Sequence, residues 1–395
     1  MKKVLVVGNS YSFIKRISSL ADKVYVVSGN NATSEFSESL DIRENNALEI
    51  LDFVLENDID LTIVTSQKAL NSDLVSLFVA NEKPIFAPSK ECASVTISLS
   101  AAKKFLYKLR VPTPKFAVFE KLPLALEYTQ DANYPLVISN DDNSIRQCCT
   151  SVAVAKTFVE DLFQRGESKV VFQDYVYGNE FTFYAVTDGY HALPLTTVTN
   201  FKFTENGDGG RLTNGVGAYV PDNKVSSDVL GDIFNNVILQ ALNNFEKRGI
   251  PYVGIIGVNA VLTNDGNYTV LGFSPFFSNV DSQAILNSIE ENLLELFEAC
   301  ANGFFADEYE DVLVNDNISV ACLIRSRKDG VQIKNIDELD SEISYLNKKI
   351  TSTVIGDNFV LTSCAKSLSR AKSILKDDVE FISFDGMKCR TDIYN

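Results

Sequence analysis

Short apolar runs alternate with helically spaced segments over residues 1–90. The run KVLVVG at 3–8 predicts a strand, SYSFIKRISSLA at 10–21 has the apolar spacing of a helix, and KVYVVSGN at 23–30 predicts a second strand. The alternation continues through ALEILDFVLENDI, DLTIVTS, SDLVSLFVANE and PIFAPS. Strands that alternate with helices pair in parallel, because each helix carries the chain back to the start of the next strand. The pattern predicts a small doubly wound parallel sheet.

A strand-rich region follows the helically spaced segment SAAKKFLYKL at 100–109. The segments PLVISNDDN, VVFQDYVYGNEFTFYAVTDG and YHALPLTTVTNFKF alternate apolar and polar residues and break at Gly, Asn or Asp, which is typical of antiparallel hairpins. The polar, glycine-containing run NFKFTENGDGGRLTNGVGAYVP at 200–221 is expected to be a loop. Beyond it, the spacing predicts a helix at about 225–248, two strands, and one helix over 282–302. Short strands and one helix complete the chain from about residue 315.

Length and composition indicate a soluble protein of several domains. At 395 residues the chain exceeds what one hydrophobic core usually serves, so we expect about two to four domains. Apolar residues make up 45% of the chain and charged residues 22%, which are ordinary values for globular proteins. No apolar stretch reaches the ~18 residues that a spanning helix needs, and MKKVLVVGNSYS is too short and too strand-like for a signal peptide. We expect a cytoplasmic protein without membrane contact.

Charge and cysteine usage exclude several classes of function. The formal net charge of −16 disfavours nucleic acid as a partner, because no cluster of Lys and Arg overrides the repulsion from phosphate groups. Seven cysteines without CxxC or Cys/His spacing favour neither a disulfide framework nor a zinc site. The single histidine, His191, has no partners in the sequence pattern for a catalytic triad or a metal cluster, so we expect it to be structural. The first strand-to-helix turn, GNSYSF, holds only one glycine, which disfavours a dinucleotide site there.

Several distinctive strings occur along the whole chain: GN at 29–30, RVPTPKF at 110–116, DGYHALPLTT at 188–197, GVGAYVP at 215–221, PYVGIIGV at 251–258 and FDGMKCRTDI at 384–393. Together they resemble the phosphoribosylamine–glycine ligase (glycinamide ribonucleotide synthetase) family of the ATP-grasp superfamily. The resemblance implies a mixed α/β and α+β multidomain fold. It places an N-terminal pre-ATP-grasp domain at 1–98, an ATP-grasp domain at 99–314 with a small lobe at about 115–185, and a β-rich C-terminal domain at 315–395.

In this family, the segment at 200–221 is implied to cover the phosphates and the substrate. The chain keeps the family's residues at seven of its positions: Lys202, Gly207, Asp208, Gly210, Thr213, Gly215 and Gly217. Elsewhere the segment departs from the family. Asn200, Phe201 and Phe203 replace three charged or polar residues around Lys202, and Arg211-Leu212 replaces Pro-Asn. A charged loop has become partly apolar.

The metal positions that the resemblance implies are also altered. The family holds magnesium with a Glu and an Asn two residues apart on a strand, and the matching positions are Gly272 and Ser274. Neither side chain is an adequate magnesium ligand, since the ion prefers carboxylate and carbonyl oxygens. Phe276 stands where the family has an arginine, which removes a bidentate contact to an anion.

The nucleotide flap of the family matches SNDDNSIRQCC at 139–149. Ser139 replaces a lysine, Asp142 a glycine, and Arg146-Gln147-Cys148 the Gly-Lys-Gly turn, so that Asp141 alone is kept. Leu99 stands where another lysine facing the nucleotide is expected. Asp174 and Glu180, in VVFQDYVYGNE, match the strand that holds the base in the family. On the substrate side, Gln67 replaces an acidic residue.

Loss of several ligand clusters favours a protein that keeps the ligase fold without its ATP chemistry. Each cluster ordinarily contributes on the order of 3 kcal/mol or more to the transition state, so their joint loss is hard to compensate. The leading hypothesis is a pseudoenzyme that needs no ATP or Mg²⁺ and acts as a monomeric or homodimeric partner of a nucleotide or of another purine-pathway protein. The alternative is an active, divergent ATP-dependent ligase with Mg²⁺ held by Asp281, Asp265 or Asp208. We also expect Phe201, Phe203, Phe276 and Phe277 to fill the cleft and close it.

Overall fold

The computed structural model describes residues 2–326, 336–346, 358–382, 384 and 386–395. Within these ranges, the helices are too short or too polar for any of them to cross a lipid bilayer. The described strands form three sheets, of five, nine and four strands.

The first sheet is the predicted doubly wound parallel sheet. Its elements, with the helices that cover it, are β1 (Lys3–Val7), α1 (Tyr11–Ser18), β2 (Lys23–Val27), β3 (Glu38–Leu40), α2 (Ala47–Asn57), β4 (Leu61–Val64), α3 (Gln67–Leu70), α4 (Leu74–Ala80), β5 (Ile85–Phe86) and α5 (Lys90–Ile97). All pairs are parallel, in the order β3-β2-β1-β4-β5. The central strands β1 and β4 are buried on both faces, which is why their sequences are continuous apolar runs. Because the chain winds outward in opposite directions from β1 and β4, a crevice opens beyond their carboxyl ends.

The smallest sheet is antiparallel and belongs to the predicted small lobe. Its region contains α6 (Leu99–Leu109), β6 (Phe116–Phe119), α7 (Leu122–Asp131), β7 (Leu136–Asn140), β8 (Arg146–Cys149), α8 (Val152–Gln164) and β9 (Val170–Asp174). The strand order is β6-β9-β7-β8. The sheet ends at Asp174, and the following strand, still inside the predicted small lobe of about 115–185, joins the larger sheet.

The nine-stranded sheet runs from the centre of the chain to its last residues. Its elements and covering helices are β10 (Asn179–Thr187), β11 (Ala192–Glu205), β12 (Gly209–Val220), α9 (Ser227–Ile233), α10 (Leu239–Glu246), β13 (Gly254–Leu262), β14 (Tyr268–Ser274), α11 (Ser282–Ser288), α12 (Leu293–Asn302), α13 (Phe305–Glu308), β15 (Ile318–Ser326), β16 (Glu342–Tyr345), β17 (Asn358–Ala365), α14 (Leu368–Phe381) and β18 (Met387–Lys388). The order is β14-β13-β10-β11-β12-β15-β17-β16, with β18 beside β15. The sheet is therefore continuous across the domain boundary predicted at residue 315, because β15 pairs with β12.

Two helical predictions differ from the structure in detail. The helix predicted over 282–302 is two helices, α11 and α12. Ile289, between them, is extended and bridges Val314, and Asn292 caps α12 by accepting from the backbone N–H groups of Leu294 and Glu295. The helix predicted at about 225–248 is interrupted by one π turn, Phe234–Ile238, between α9 and α10.

Stacked aromatic rings join the parallel sheet to the nine-stranded sheet's helices. Phe86 at the end of β5 stacks on Phe297 of α12 with ring centroids 4.1 Å apart, and Phe13 of α1 stacks on the same ring at 6.0 Å. The core cluster that contains these rings also includes residues of β10, β11 and β12. The crevice of the parallel sheet is thereby fixed against the larger sheet.

Candidate functional site

A polar cleft of about 270 Å³ lies between the four-stranded and nine-stranded sheets. Its polar and charged lining residues include Gln67, Arg146, Gln173, Glu180, Thr182, Lys202, Asn259, Ser274 and Asp281. A second cavity, of about 130 Å³, shares Arg146, Glu180 and Lys202 with the polar cleft and extends to Asp174 and Asp208. The structure thus brings four of the predicted residues, Asp174, Glu180, Lys202 and Asp208, to one connected region.

Two cations, Lys202 and Arg146, and three carboxylates, Asp142, Glu180 and Asp281, line the polar cleft. Lys202 Nζ on β11 lies 3.8 Å from Glu180 Oε1 on β10 and donates to the carbonyl oxygen of Asn214 at 3.4 Å. Arg146 on β8 donates from Nη2 to the carbonyl oxygen of Thr213 on β12. The interpretation of the flap from sequence misses Arg146 as a site residue, because it treats this position only as the replacement of a glycine. Its guanidinium and the Lys202 ammonium leave the cleft able to contact an anion.

A chain of side-chain hydrogen bonds crosses the floor of the polar cleft. Thr182 Oγ1 lies 2.7 Å from Asn200 Oδ1 and 2.9 Å from Asn259 Oδ1. Asn259 donates to Ser274 Oγ at 3.0 Å, and Asn200 donates to Asp281 Oδ2 at 3.3 Å. The four strands β10, β11, β13 and β14 bring these residues together, although they are far apart in the sequence. The polar groups of these side chains are therefore hydrogen-bonded to one another within the protein.

Asp281 is the buried acid of this network, with 3% of its surface exposed. Burial raises the pKa of Asp281 to about 6, while Lys202 and hydrogen bonds from Ser278 and Asn200 act in the opposite direction. Asp265 and Asp208, the other two acids considered as metal ligands, are engaged elsewhere. Asp265 lies in the exposed turn between β13 and β14, where bonds from Thr263 and Asn267 lower its pKa to about 2.

The two positions implied to hold magnesium lie on β14, at the wall of the polar cleft. A Cβ atom at Gly272 would lie 3.8 Å from Leu99 Cδ1 and 3.9 Å from Ala102 Cβ, so this part of the wall is apolar. Ser274 contributes one hydroxyl, which is already bonded to Asn259. Among the described residues, no three His, Cys, Asp or Glu side chains converge as a metal site. The donor set on β14 therefore does not fit a magnesium ion.

The flap candidate Asp141 supports the fold of the small lobe. Its carboxylate accepts from the Ser100 backbone N–H and the Ser98 hydroxyl, both at 2.9 Å, and its carbonyl oxygen accepts from Leu99 N–H at 2.6 Å. Although burial acts in the opposite direction, these bonds and Lys169 lower the pKa of Asp141. The residue anchors the β7–β8 hairpin to the first turn of α6, where a negative charge is stabilising. Asp141 does not line either polar cavity.

The segment 200–221 is a long hairpin of β11 and β12, and the prediction of a loop is wrong. Strand pairing satisfies the backbone of this polar run, which alternation alone did not reveal. The tip, Asn206–Asp208, is held by the C-terminal segment. Asp208 pairs with Arg390 at 2.8 Å, and Gly207 N–H donates to Asp392 Oδ2 at 2.9 Å. Both candidates thus have a partner in the C-terminal segment, and Asp208 also lines the smaller cavity.

The other candidates of the hairpin have separate places. Gly210 has φ +77° beside Thr204, and the Thr213 hydroxyl donates to the Lys202 carbonyl oxygen at 2.8 Å. Gly215 has φ +144°. A Cβ at Gly217 would lie 2.3 Å from Ile393 Cδ1 and 2.8 Å from the Ala321 carbonyl oxygen, so only glycine fits there without movement.

The prediction that four phenylalanines close the cleft is wrong. Phe277 packs edge-on against Tyr184 inside the core, with ring centroids 5.1 Å apart, and Phe201 packs on Tyr219 at 4.9 Å. Phe203 lines the smaller cavity, and Phe276 forms a wall of the polar cleft without filling it. Phe277 is buried in the core, and the half-buried Phe201 lines the smaller cavity beside Phe203, so the polar cleft stays open.

Two family models match successive parts of this chain. The model described as the phosphoribosylglycinamide synthetase N domain matches residues 2–96, and the model of the ATP-grasp (A) domain of the same synthetase matches residues 98–282.

Individual proteins are similar to this chain over nearly its full length. The phosphoribosylamine–glycine ligase of Caldanaerobacter subterraneus subsp. tengcongensis is 27% identical over 423 residues, with 99% of both chains covered. The ligase of the same name from Clostridium acetobutylicum is 26% identical and covers 94% of this chain and 93% of its own. A crystal structure of phosphoribosylamine–glycine ligase from Thermotoga maritima superposes with a TM-score of 0.78 at 19% identity, covering 99% of each chain. The matches in sequence and fold show that this chain belongs to the phosphoribosylamine–glycine ligase family of the ATP-grasp superfamily.

Proposed function

We propose that this chain is a family member that has lost Mg-ATP-dependent ligase activity and works as a non-catalytic binding protein. The observation that carries the proposal is the wall of the polar cleft at β14. Gly272 has no side chain to bind an ion, and it lies against Leu99 and Ala102. At the other implied metal position, the hydroxyl of Ser274 is already hydrogen-bonded to Asn259. A ligase that forms an acyl phosphate needs a metal ion to neutralise the transferred phosphoryl group.

The charges that remain in the polar cleft support weak, metal-independent anion binding. Lys202 is partly neutralised by Glu180 at 3.8 Å, and the nearby Asp281 adds negative charge when it is ionised. Arg146 is the second cation among the described lining residues, and Asp142 adds a further carboxylate. The two cations therefore leave no net positive charge beside these carboxylates, which is insufficient to hold a triphosphate tightly.

The proposal is tested by ligase assay and calorimetry on the purified chain. With ATP, Mg²⁺, glycine and phosphoribosylamine, we expect no ADP formation above the rate without enzyme. The Caldanaerobacter ligase, assayed alongside, serves as the positive control. We expect ATP to bind with a Kd weaker than about 1 mM, and Mg²⁺ to change this Kd by less than about threefold, because no donors on β14 receive the ion. ATP-dependent formation of glycinamide ribonucleotide, or tight binding that requires Mg²⁺, would establish the active-ligase alternative instead.

If the chain is a binding protein, its partner, oligomeric state and location in the cell can also be proposed. We propose that a nucleotide or another purine-pathway protein is the partner, that the chain is a monomer or homodimer, and that it is cytoplasmic. A partner that binds only the folded state raises Tm in proportion to its concentration above Kd. A thermal-shift series with ADP and ATP, with and without Mg²⁺, separates nucleotide binding from a purely protein-binding role.

A further inference from the structure

An uncharged cavity lies at the crevice of the parallel sheet, beyond the carboxyl ends of β1, β4 and β5. Its volume is about 300 Å³, and it adjoins the polar cleft, with which it shares Asn214, Pro275, Phe276 and Ser278 as lining residues. Open parallel sheets bind their ligands at this crevice, where the winding direction of the chain reverses. We call it the crevice cavity.

None of the described residues that line the crevice cavity carries a charge. Its walls are formed largely by apolar side chains, including the rings of Phe13, Phe86 and Phe276. A phosphate or carboxylate placed there loses hydration without gaining a cation. The start of α1 also borders the cavity, but one helix terminus supplies only about half an elementary charge.

Three side-chain amides at the cavity form no hydrogen bond with the rest of the described chain. They belong to Asn9, Asn214 and Asn279, all of them exposed. The hydroxyl of Thr65, which follows β4, is buried without a hydrogen-bond partner in the described part of the chain, so turning it toward a ligand breaks no bond seen there. Free amides donate and accept hydrogen bonds without adding charge. Aromatic walls, unpaired neutral polar groups and the lack of charged side chains among the described lining residues favour the binding of an uncharged molecule.

We propose that the crevice cavity binds a small, neutral, planar molecule that carries an amide or a ring carbonyl. The ring lies among the phenylalanine side chains, and its polar group bonds to the asparagine amides. This inference goes beyond the proposed loss of ligase activity and does not depend on it, because neither ATP nor Mg²⁺ enters the site or its test.

Matched pairs of neutral and anionic probes test the proposal. We would titrate the full chain with benzamide, nicotinamide and uracil, and with benzoate, nicotinate and orotate, which differ from them by a carboxylate. Methyl resonances of Ile63, Val64, Ile255 and Val280, which line the cavity, report binding by NMR, and those of Leu375 in the C-terminal core are the internal reference. We expect at least one neutral probe to shift the cavity methyls with a Kd about tenfold or more below that of its anionic partner.

Two substitutions at the exposed rim test the assignment without disturbing the core. We expect Asn9→Ala to weaken binding of the neutral probe about threefold or more, and Asn279→Arg to raise the affinity for the anionic probe. The same changes at Asn133, which is exposed and lines none of the three cavities described, are the controls. The proposal is overturned if none of the neutral probes shifts the cavity methyls, or if the anionic partners or ribose 5-phosphate bind as well. If the same substitutions at Asn133 changed the probe affinities equally, the assignment of the binding site to the crevice cavity would be overturned.

Discussion

Arg390 Nη1 lies 2.8 Å from Asp208 Oδ1, which joins the C-terminal segment to the tip of the β11–β12 hairpin. The same guanidinium donates to both oxygens of Asp392, at 2.7 and 3.0 Å, and lies over the ring of Phe201. Arg390 is 4% exposed, whereas the side chain of its partner Asp208 is 62% exposed. The end of the chain thereby holds the hairpin over the polar cleft.

Loss of this guanidinium should release the hairpin tip. We expect Arg390→Ala to lower the free energy of unfolding by about 2 kcal/mol, since charged hydrogen bonds are lost. Limited proteolysis should then cut near Asn206–Asp208. The control Arg165→Ala removes an exposed i,i+4 pair with Asp161 and should change stability by less than about 0.5 kcal/mol. An uncut hairpin in the Arg390 variant would contradict the assigned role.

The Arg390–Asp392 contact also predicts a response to acid. Burial acts in the opposite direction, but the bonds from Arg390 lower the pKa of Asp392. A lowered carboxyl pKa contributes stability above the unfolded value near 3.9, and this stability is lost as pH falls through the folded value. Chemical denaturation between about pH 5 and 2 should therefore show a smaller acid loss in Arg390→Ala than in the parent.

Replacement by alanine should have opposite effects on stability at Gly217 and at Gly231. Gly217→Ala places a Cβ 2.3 Å from Ile393 Cδ1 and 2.8 Å from a backbone oxygen, so we expect a destabilisation of about 2 kcal/mol. For Gly231→Ala, on α9, the new Cβ has no described atom within 4 Å, so we expect the helix to be stabilised by up to about 1 kcal/mol. Denaturant midpoints measure both. If Gly217→Ala proved neutral, the glycine would not be retained for packing.

Lys103 is fully buried on α6, where its ammonium contacts Thr113 at 3.2 Å. Burial lowers the pKa of Lys103 to about 7. The unfolded chain then binds more protons between about pH 7 and 10.4, so the folded state gains stability as pH rises through that window. Lys103→Met should remove this dependence and raise stability at pH 7 by up to roughly 4 kcal/mol. The neighbouring, exposed Lys104→Met is the control, and an unchanged pH profile in Lys103→Met would refute the expectation.

Asp281 should make the stability of the folded state fall as pH rises in the acid range, whereas Lys103 should make it rise at alkaline pH. Because burial raises its pKa to about 6, the folded state holds the proton more tightly, and stability falls as pH rises from about 4 to 6. Asp281→Asn should flatten this region and stabilise the protein at pH 7 by about 2 kcal/mol. The comparison is the exposed Asp131→Asn, which should leave the profile unchanged. A retained slope in Asp281→Asn would assign the titration to another group.

Restored donors on β14 should bring back metal binding. Leu99 and Ala102 are at ordinary contact distance from a Cβ at Gly272, so a side chain can start at this position without a backbone shift. The test variant combines Gly272→Glu with Ser274→Asn and Leu99→Lys. We expect this triple variant to bind Mn²⁺ in the presence of ATP about tenfold more tightly than the parent, as measured by electron paramagnetic resonance. Ser274→Asn alone supplies one donor and should give no gain. Equal Mn²⁺ affinity in parent and triple variant would mean that the ion binds elsewhere.

The sequence predicted elements whose pattern is local. The buried runs of β1 and β4 are continuous because both faces are covered, and the helices between them keep a regular apolar spacing. The resemblance in 215–221 and 251–258 was sufficient for the family, since such strings do not depend on distant contacts to be recognised. The break at Ile289 was missed because the residue is extended only through its bridge to Val314, a partner far along the chain.

The sequence by itself determined the family and the fold class, and it showed Gly272 and Ser274 at the positions where the resemblance implies a Glu and an Asn. Only the tertiary structure decided that 200–221 is a hairpin, that Arg146 reaches the polar cleft, and that Phe277 packs in the core. It also assembled the uncharged crevice cavity from segments that are distant in sequence. These features depend on which strands pair and which side chains face each other across sheets, and long-range packing fixes both.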